Sequence, residues 1–86
     1  MPEICRFFGI VIAMYHKEHA PPHFHAKYGG HRASFSIQEL KIIEGGLPRR
    51  AVSLVLEWAF QRRDDLMVNW ERAQRMEALD HIEPLE

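Results

Sequence analysis

The pair Gly29-Gly30, flanked by two runs of alternating apolar and polar residues, constrains this chain more than any other feature. Residues 23–28 (HFHAKY) and 31–37 (HRASFSI) have strand length. A two-residue glycine turn between such runs closes an antiparallel hairpin, because both turn positions accept positive φ. The turn also fixes which residues face each other. Tyr28 pairs with His31, Ala26 with Ala33 and Phe24 with Phe35, and these six with Ile37 make a mostly apolar face. The opposite face pairs His23 with Ser36, His25 with Ser34, and Lys27 with Arg32. Two cations set directly opposite each other repel by about a few tenths of a kcal/mol. Such a pair belongs at an exposed position or around an anion.

The rest of the chain builds outward from that hairpin. Residues 4–15 are rich in β-branched and aromatic side chains and are interrupted by Gly9, which predicts one bulged strand or two short ones. Residues 16–22 (HKEHAPP) form a polar loop in which two prolines exclude helix. Residues 40–43 predict a further short strand, ended by Gly45-Gly46. Pro48 then suits the opening of a helix. Val52, Val55, Trp58 and Ala59 follow helical spacing, and Leu66, Trp70 and Ala73 resume it after the polar break at residues 62–65 (RRDD). One long helix and two helices broken near Arg62 fit equally. The expected fold is therefore α+β, a small N-terminal antiparallel sheet of 3–5 strands packed on one or two C-terminal helices.

A chain of 86 residues makes one domain. It buries only roughly 60% of its unfolded surface, so a partner protein or a second copy of the chain covering an apolar face would add stability. The eleven Lys and Arg nearly balance twelve acids, but Glu77, Asp80, Glu83 and Glu86 follow Met76 with no cation among them. Residues 1–76 are thus expected to form the domain and 77–86 an acidic, flexible tail. The mild basic excess left behind permits a local anion site and does not by itself argue nucleic-acid binding. A single cysteine, Cys5, excludes an internal disulfide and suits a reducing compartment. No apolar run approaches the ~20 residues of a membrane span, and no signal-peptide pattern opens the chain. The expected location is the cytoplasm.

Five of the six histidines fall within residues 16–31. His23 and His25, two apart on one strand, project to the same side with β-carbons about 7 Å apart. That spacing suits an acid/base pair flanking one substrate, or two ligands of one metal ion. It also suits an ordinary polar strand face. With Lys27 and Arg32 beside them, the histidines are the parts of metal-independent RNA cleavage: His23 and His25 transfer protons, and the cations, with Ser34, Ser36 and Arg6, hold the phosphate-bearing substrate. No cofactor is needed in that scheme. In the alternative, His19, His23 and His25 bind a divalent transition metal such as zinc without catalysis, with Glu18 the one carboxylate obviously placed beside them, although their spacing matches no standard zinc motif. In a third, the histidine face is a structural interface for a partner protein.

RFFGIVIAMY, HAPPHFHAKYGG, FSI, LVLEWA and NWERA, at residues 6–15, 19–30, 35–37, 54–59 and 69–73, closely resemble the small bacterial proteins grouped as domain of unknown function 4160. The specific part is Pro-Pro-His-Phe-His, here residues 21–25. His19, Pro21, Pro22, His23, Phe24 and His25 match that block, and Arg6 and Gly9 match the N-terminal one; His16 and His31 fall where the family varies. Genes of this family commonly neighbour a second small gene. The resemblance therefore implies the toxin side of a type II toxin–antitoxin module, binding a small cognate antitoxin-like partner and acting on RNA or translation.

Overall fold

The computed structural model describes residues 3–86; Met1 and Pro2, which open the expected domain, lie outside the described residues. Five strands, β1 (Glu3–Phe7), β2 (Ile10–Ala13), β3 (His23–Tyr28), β4 (His31–Ser36) and β5 (Ile42–Gly46), precede two helices, α1 (Arg49–Gln61) and α2 (Arg63–Gln74). The strands lie side by side in chain order, every neighbour antiparallel. This is the expected α+β arrangement at the upper end of the expected strand count.

The hairpin register follows the glycine turn residue for residue, from Tyr28 opposite His31 to His23 opposite Ser36. A tight turn at Phe8-Gly9 resolves the N-terminal segment into two paired strands, with Phe7 opposite Ile10. The fifth strand differs from expectation. It runs through Gly45-Gly46 instead of ending before them, and the preceding turn is closed by Ser36 N–H to the Lys41 carbonyl at 2.8 Å and Leu40 N–H to the Ser36 carbonyl at 2.9 Å. The cause is close backbone approach. A β-carbon on Gly45 would lie 2.3 Å from the Arg32 carbonyl oxygen, and its φ of +75° adds a second reason for glycine.

The helical region is broken, not continuous. Arg62 leaves helical geometry (φ −115°, ψ 20°), while its N–H still reaches the Trp58 and Ala59 carbonyls. Asp64 and Asp65 then occupy the first turn of α2, where the helix dipole favours negative charge. The polar break in the sequence is thus the end of one helix and the start of the next.

The core forms between the helices and the Phe24/Phe35 face of the sheet. Those two rings stack at 5.3 Å, and Trp58 packs edge-on to Phe24 at 5.8 Å and against Phe7 at 5.4 Å. Cys5 is fully buried in it, and burial pushes its thiol pKa up. Among the described residues no helix is long and apolar enough to cross a membrane.

Residues 77–86, expected as a tail outside the domain, instead run back over it. Ile82 and Leu85 are buried, and Ile82 N–H donates to the Ile4 carbonyl at 2.9 Å. Trp58 Nε1–H donates to the Glu83 carbonyl at 2.8 Å, and the Asn69 amide both donates to the Asp80 carbonyl and accepts from the Asp80 N–H, each at 2.9 Å. The acids that make this segment look like a tail point outward, while Leu79, Ile82 and Leu85 recur every third residue and turn inward. Ile82→Ala should therefore cost about 2–5 kcal/mol, the usual range for emptying a buried aliphatic site. Urea unfolding checks this; an unchanged midpoint would show the segment to be peripheral.

Candidate functional site

Antiparallel pairing carries side-chain direction across the whole sheet, so residues in one row share a face. One row reads Arg6, Val11, Lys27, Arg32, Gly46, and the next reads Glu3, Ala13, His25, Ser34, Glu44. Both lie on the face turned away from Phe24, Phe35 and Trp58. A groove of about 250 Å³ opens there, lined by Val11, Ala13, Tyr15, His25, Lys27 and Arg32 with the backbone around Ala26 and Ala33. Its floor is small because Val11 and Ala13 are the only side chains β2 contributes to it.

Lys27 and Arg32 are exposed register partners, and among the described residues neither forms an ion pair. Glycine opposite Arg32 on β5 leaves the guanidinium uncrowded from that side. The groove therefore carries two unneutralised cations, with Glu3 and Glu44 the acids at the two ends of the adjoining row.

At the other end of the groove His25 is half-buried and engaged at both ring nitrogens. Its Nε2 lies 2.7 Å from Glu18 Oε1, and its Nδ1 lies 3.2 Å from Ser34 Oγ. The Tyr15 ring meets it edge-on at 4.7 Å. His23 lies deeper, only 9% exposed, with its ring between those of His25 (5.1 Å) and Trp70 (5.2 Å). Its Nδ1–H donates to the Pro21 carbonyl at 2.8 Å, and its Nε2 faces Glu18 Oε1 at 3.4 Å. The residue 14–22 loop supplies both Glu18 and the Pro21 carbonyl. It includes the cis Ala20-Pro21 peptide, and the loop is tied to α2 by Gln74 Nε2–H donating to the Glu18 carbonyl at 3.0 Å.

The residues singled out in the sequence thus have different fates. His25, Lys27 and Arg32 come together around the groove, and Ser34 braces His25 from beneath. Ser36 is buried and caps the β4–β5 turn by accepting the Glu39 N–H at 3.0 Å. Arg6 shares the row of Lys27 but two strands away, roughly 10 Å. Its guanidinium donates to both carboxylate oxygens of Glu3, at 2.8 and 3.0 Å, and holds that carboxyl below its ordinary pKa. His19 is exposed and stands outside the cluster; the ligand-type atoms that converge within 4.8 Å belong to Glu18, His23 and His25. The sequence marks Glu18 as the one carboxylate placed near the histidines, but not its contact with His25, which spans a loop whose path no periodicity encodes. Tyr15 and Trp70 likewise meet the site, with ring contacts to His25 and His23, while their spacing marks them as strand and helix core.

A family model described as domain of unknown function (DUF4160) matches residues 9–71. That span takes in the groove, the histidine cluster and its loop. No curated protein and no solved structure matches the chain.

Replacing Lys27 with glutamate converts a repulsive cross-strand pair into an attractive one. Lys27→Glu should raise stability by about 0.5–1 kcal/mol. Denaturant unfolding at low salt measures it, and no gain would mean that the two side chains do not face each other.

Proposed function

The chain belongs to the family described as domain of unknown function (DUF4160), and from that premise we propose that its groove binds a phosphate-bearing ligand, single-stranded RNA foremost, as the toxin side of a two-component module with a small cognate partner. The supporting observation is the Lys27–Arg32 pair, two cations without an ion pair among the described residues, held opposite each other at the groove beside His25. Alone, the pair is mildly repulsive; a phosphate between the two side chains converts that repulsion into two charge-assisted hydrogen bonds. Arginine adds a planar fork that matches phosphate oxygens.

Proton transfer at the groove falls to His25. Glu18 and Ser34 hold its ring, and it lines the groove. His23 does not share that position: it is turned onto Glu18 beneath His25 and contributes to the groove only by packing. The toxin role and the cognate partner rest on the family resemblance; the cations of the groove support only the phosphate-bearing ligand.

Two phosphate contacts give a specific salt dependence. For a short single-stranded RNA, each contact contributes a slope of about −0.7 in log K against log salt, so Lys27 and Arg32 together predict about −1.4 and a roughly sevenfold loss of affinity between 50 and 200 mM. Fluorescence anisotropy should show this for the wild type and a slope near zero for Lys27→Ala/Arg32→Ala. Equal binding by both proteins would rule out the groove. In bacteria, tightly induced wild type should arrest growth while the double variant at matched level does not; normal growth with both would remove the toxin role.

A further inference from the structure

We propose that Glu18, His23 and His25 form a site for one divalent transition-metal ion of the zinc type, a reading that stands on this cluster, is independent of phosphate binding by Lys27 and Arg32, and replaces proton transfer by His25 while the ion is bound. The three candidate donors are two imidazole Nε2 atoms and one carboxylate oxygen, all within 4.8 Å of one another. Two imidazoles and a carboxylate are a donor set that zinc and its neighbours in the first transition row accept, with metal–ligand distances of about 2.0–2.2 Å. Tetrahedral donors at that distance stand roughly 3.3 Å apart. The 3.4 Å between His23 Nε2 and Glu18 Oε1 already fits. The 2.7 Å between His25 Nε2 and the same oxygen needs an opening of roughly half an ångström, and the two imidazole donors, within 4.8 Å of each other, close by up to roughly 1.5 Å through ring rotation when an ion binds.

The hydrogen bonds behind the donors carry the inference further than their proximity does. A carbonyl oxygen can only accept, so the Pro21 carbonyl at 2.8 Å fixes the proton of a neutral His23 on Nδ1. The Nε2 of that tautomer faces a carboxylate oxygen 3.4 Å away, so one metal ion can take both as ligands. His25 Nε2, at 2.7 Å from Glu18 Oε1, donates to that carboxylate when no ion is bound, so an ion displaces this proton; the tautomer that ligates through Nε2 then carries its proton on Nδ1, where Ser34 Oγ at 3.2 Å can accept it. Each imidazole thus has an orienting partner on the nitrogen away from the cluster, the arrangement that holds ligating histidines elsewhere. The rings of Trp70 and His25 on either side of His23 restrict its plane. Three protein donors leave a further coordination position, and the groove begins at His25.

Tag-free protein titrated with zinc chloride in a calorimeter, and with cobalt(II) followed by visible absorption, tests the proposal. The wild type should take up one ion per chain, and the cobalt complex should show the intense visible bands of low coordination number. Glu18→Gln and His25→Ala should lose stoichiometric uptake while circular dichroism shows them folded. Ser34→Ala should bind roughly 10–100-fold more weakly, and His19→Ala should bind as the wild type does. Glu18 sits on a loop, so its variant remains informative if a histidine variant fails to fold. Failure of the folded wild type to take up an ion, or uptake that persists in both Glu18→Gln and His25→Ala, would overturn the site.

Discussion

The register of the β3–β4 hairpin is the constraint on which the remainder of the molecule depends. Side chains alternate along a strand, so a slip of one residue would send His23, His25 and Lys27 into the aromatic core and Phe24 into water. The Gly29-Gly30 turn prevents that slip, and the stacked Phe24 and Phe35 rings reinforce it from the core side. The other strands extend the same alternation outward. Val11 and Ala13 reach the groove because they pair with Lys27 and His25, and Arg32 has clear space because it pairs with Gly46.

The two faces of the sheet are mechanically linked at one end. Trp70, on α2, is nearly buried yet touches the His23 ring, so a helix of the core also helps set the plane of an imidazole in the site. Gln74 on the same helix holds the backbone of Glu18, and Lys17 N–H donates to the Ala73 carbonyl at 3.3 Å. The returning C-terminal segment in turn braces α2 through Asn69 and Asp80, with Arg72 paired to the Asp80 carboxylate at 2.7 Å. Position in the histidine cluster is therefore inherited from packing well outside it.

What could be read from the sequence was what is local or periodic. The hairpin pairing, the apolar stripes of the helices and the polar interruption at Arg62 are all set by spacing along the chain. The rest depends on contacts between distant residues. Gly45 looks like a strand terminator until the Arg32 carbonyl is found where its β-carbon would be. Residues 77–86 look solvated because acids outnumber the three apolar residues that bury them. Glu18 reaches His25 only because the proline loop turns back on the strand, and the sequence separated His19 from it by a single position that the loop path resolves in favour of Glu18. Cys5, by contrast, sits in the core as its apolar surroundings in the sequence suggest.

The central claim is that the face bearing Lys27, Arg32 and His25 is a ligand face, distinct from the face that packs on the helices. Nuclear magnetic resonance mapping of amide and imidazole signals during titration with a short single-stranded RNA tests it most directly. Shifts should concentrate at Val11, His25, Lys27 and Arg32, with the exposed sides of α1 and α2 unperturbed. Shifts centred on the helices, or none on the sheet face at saturating RNA, would contradict it.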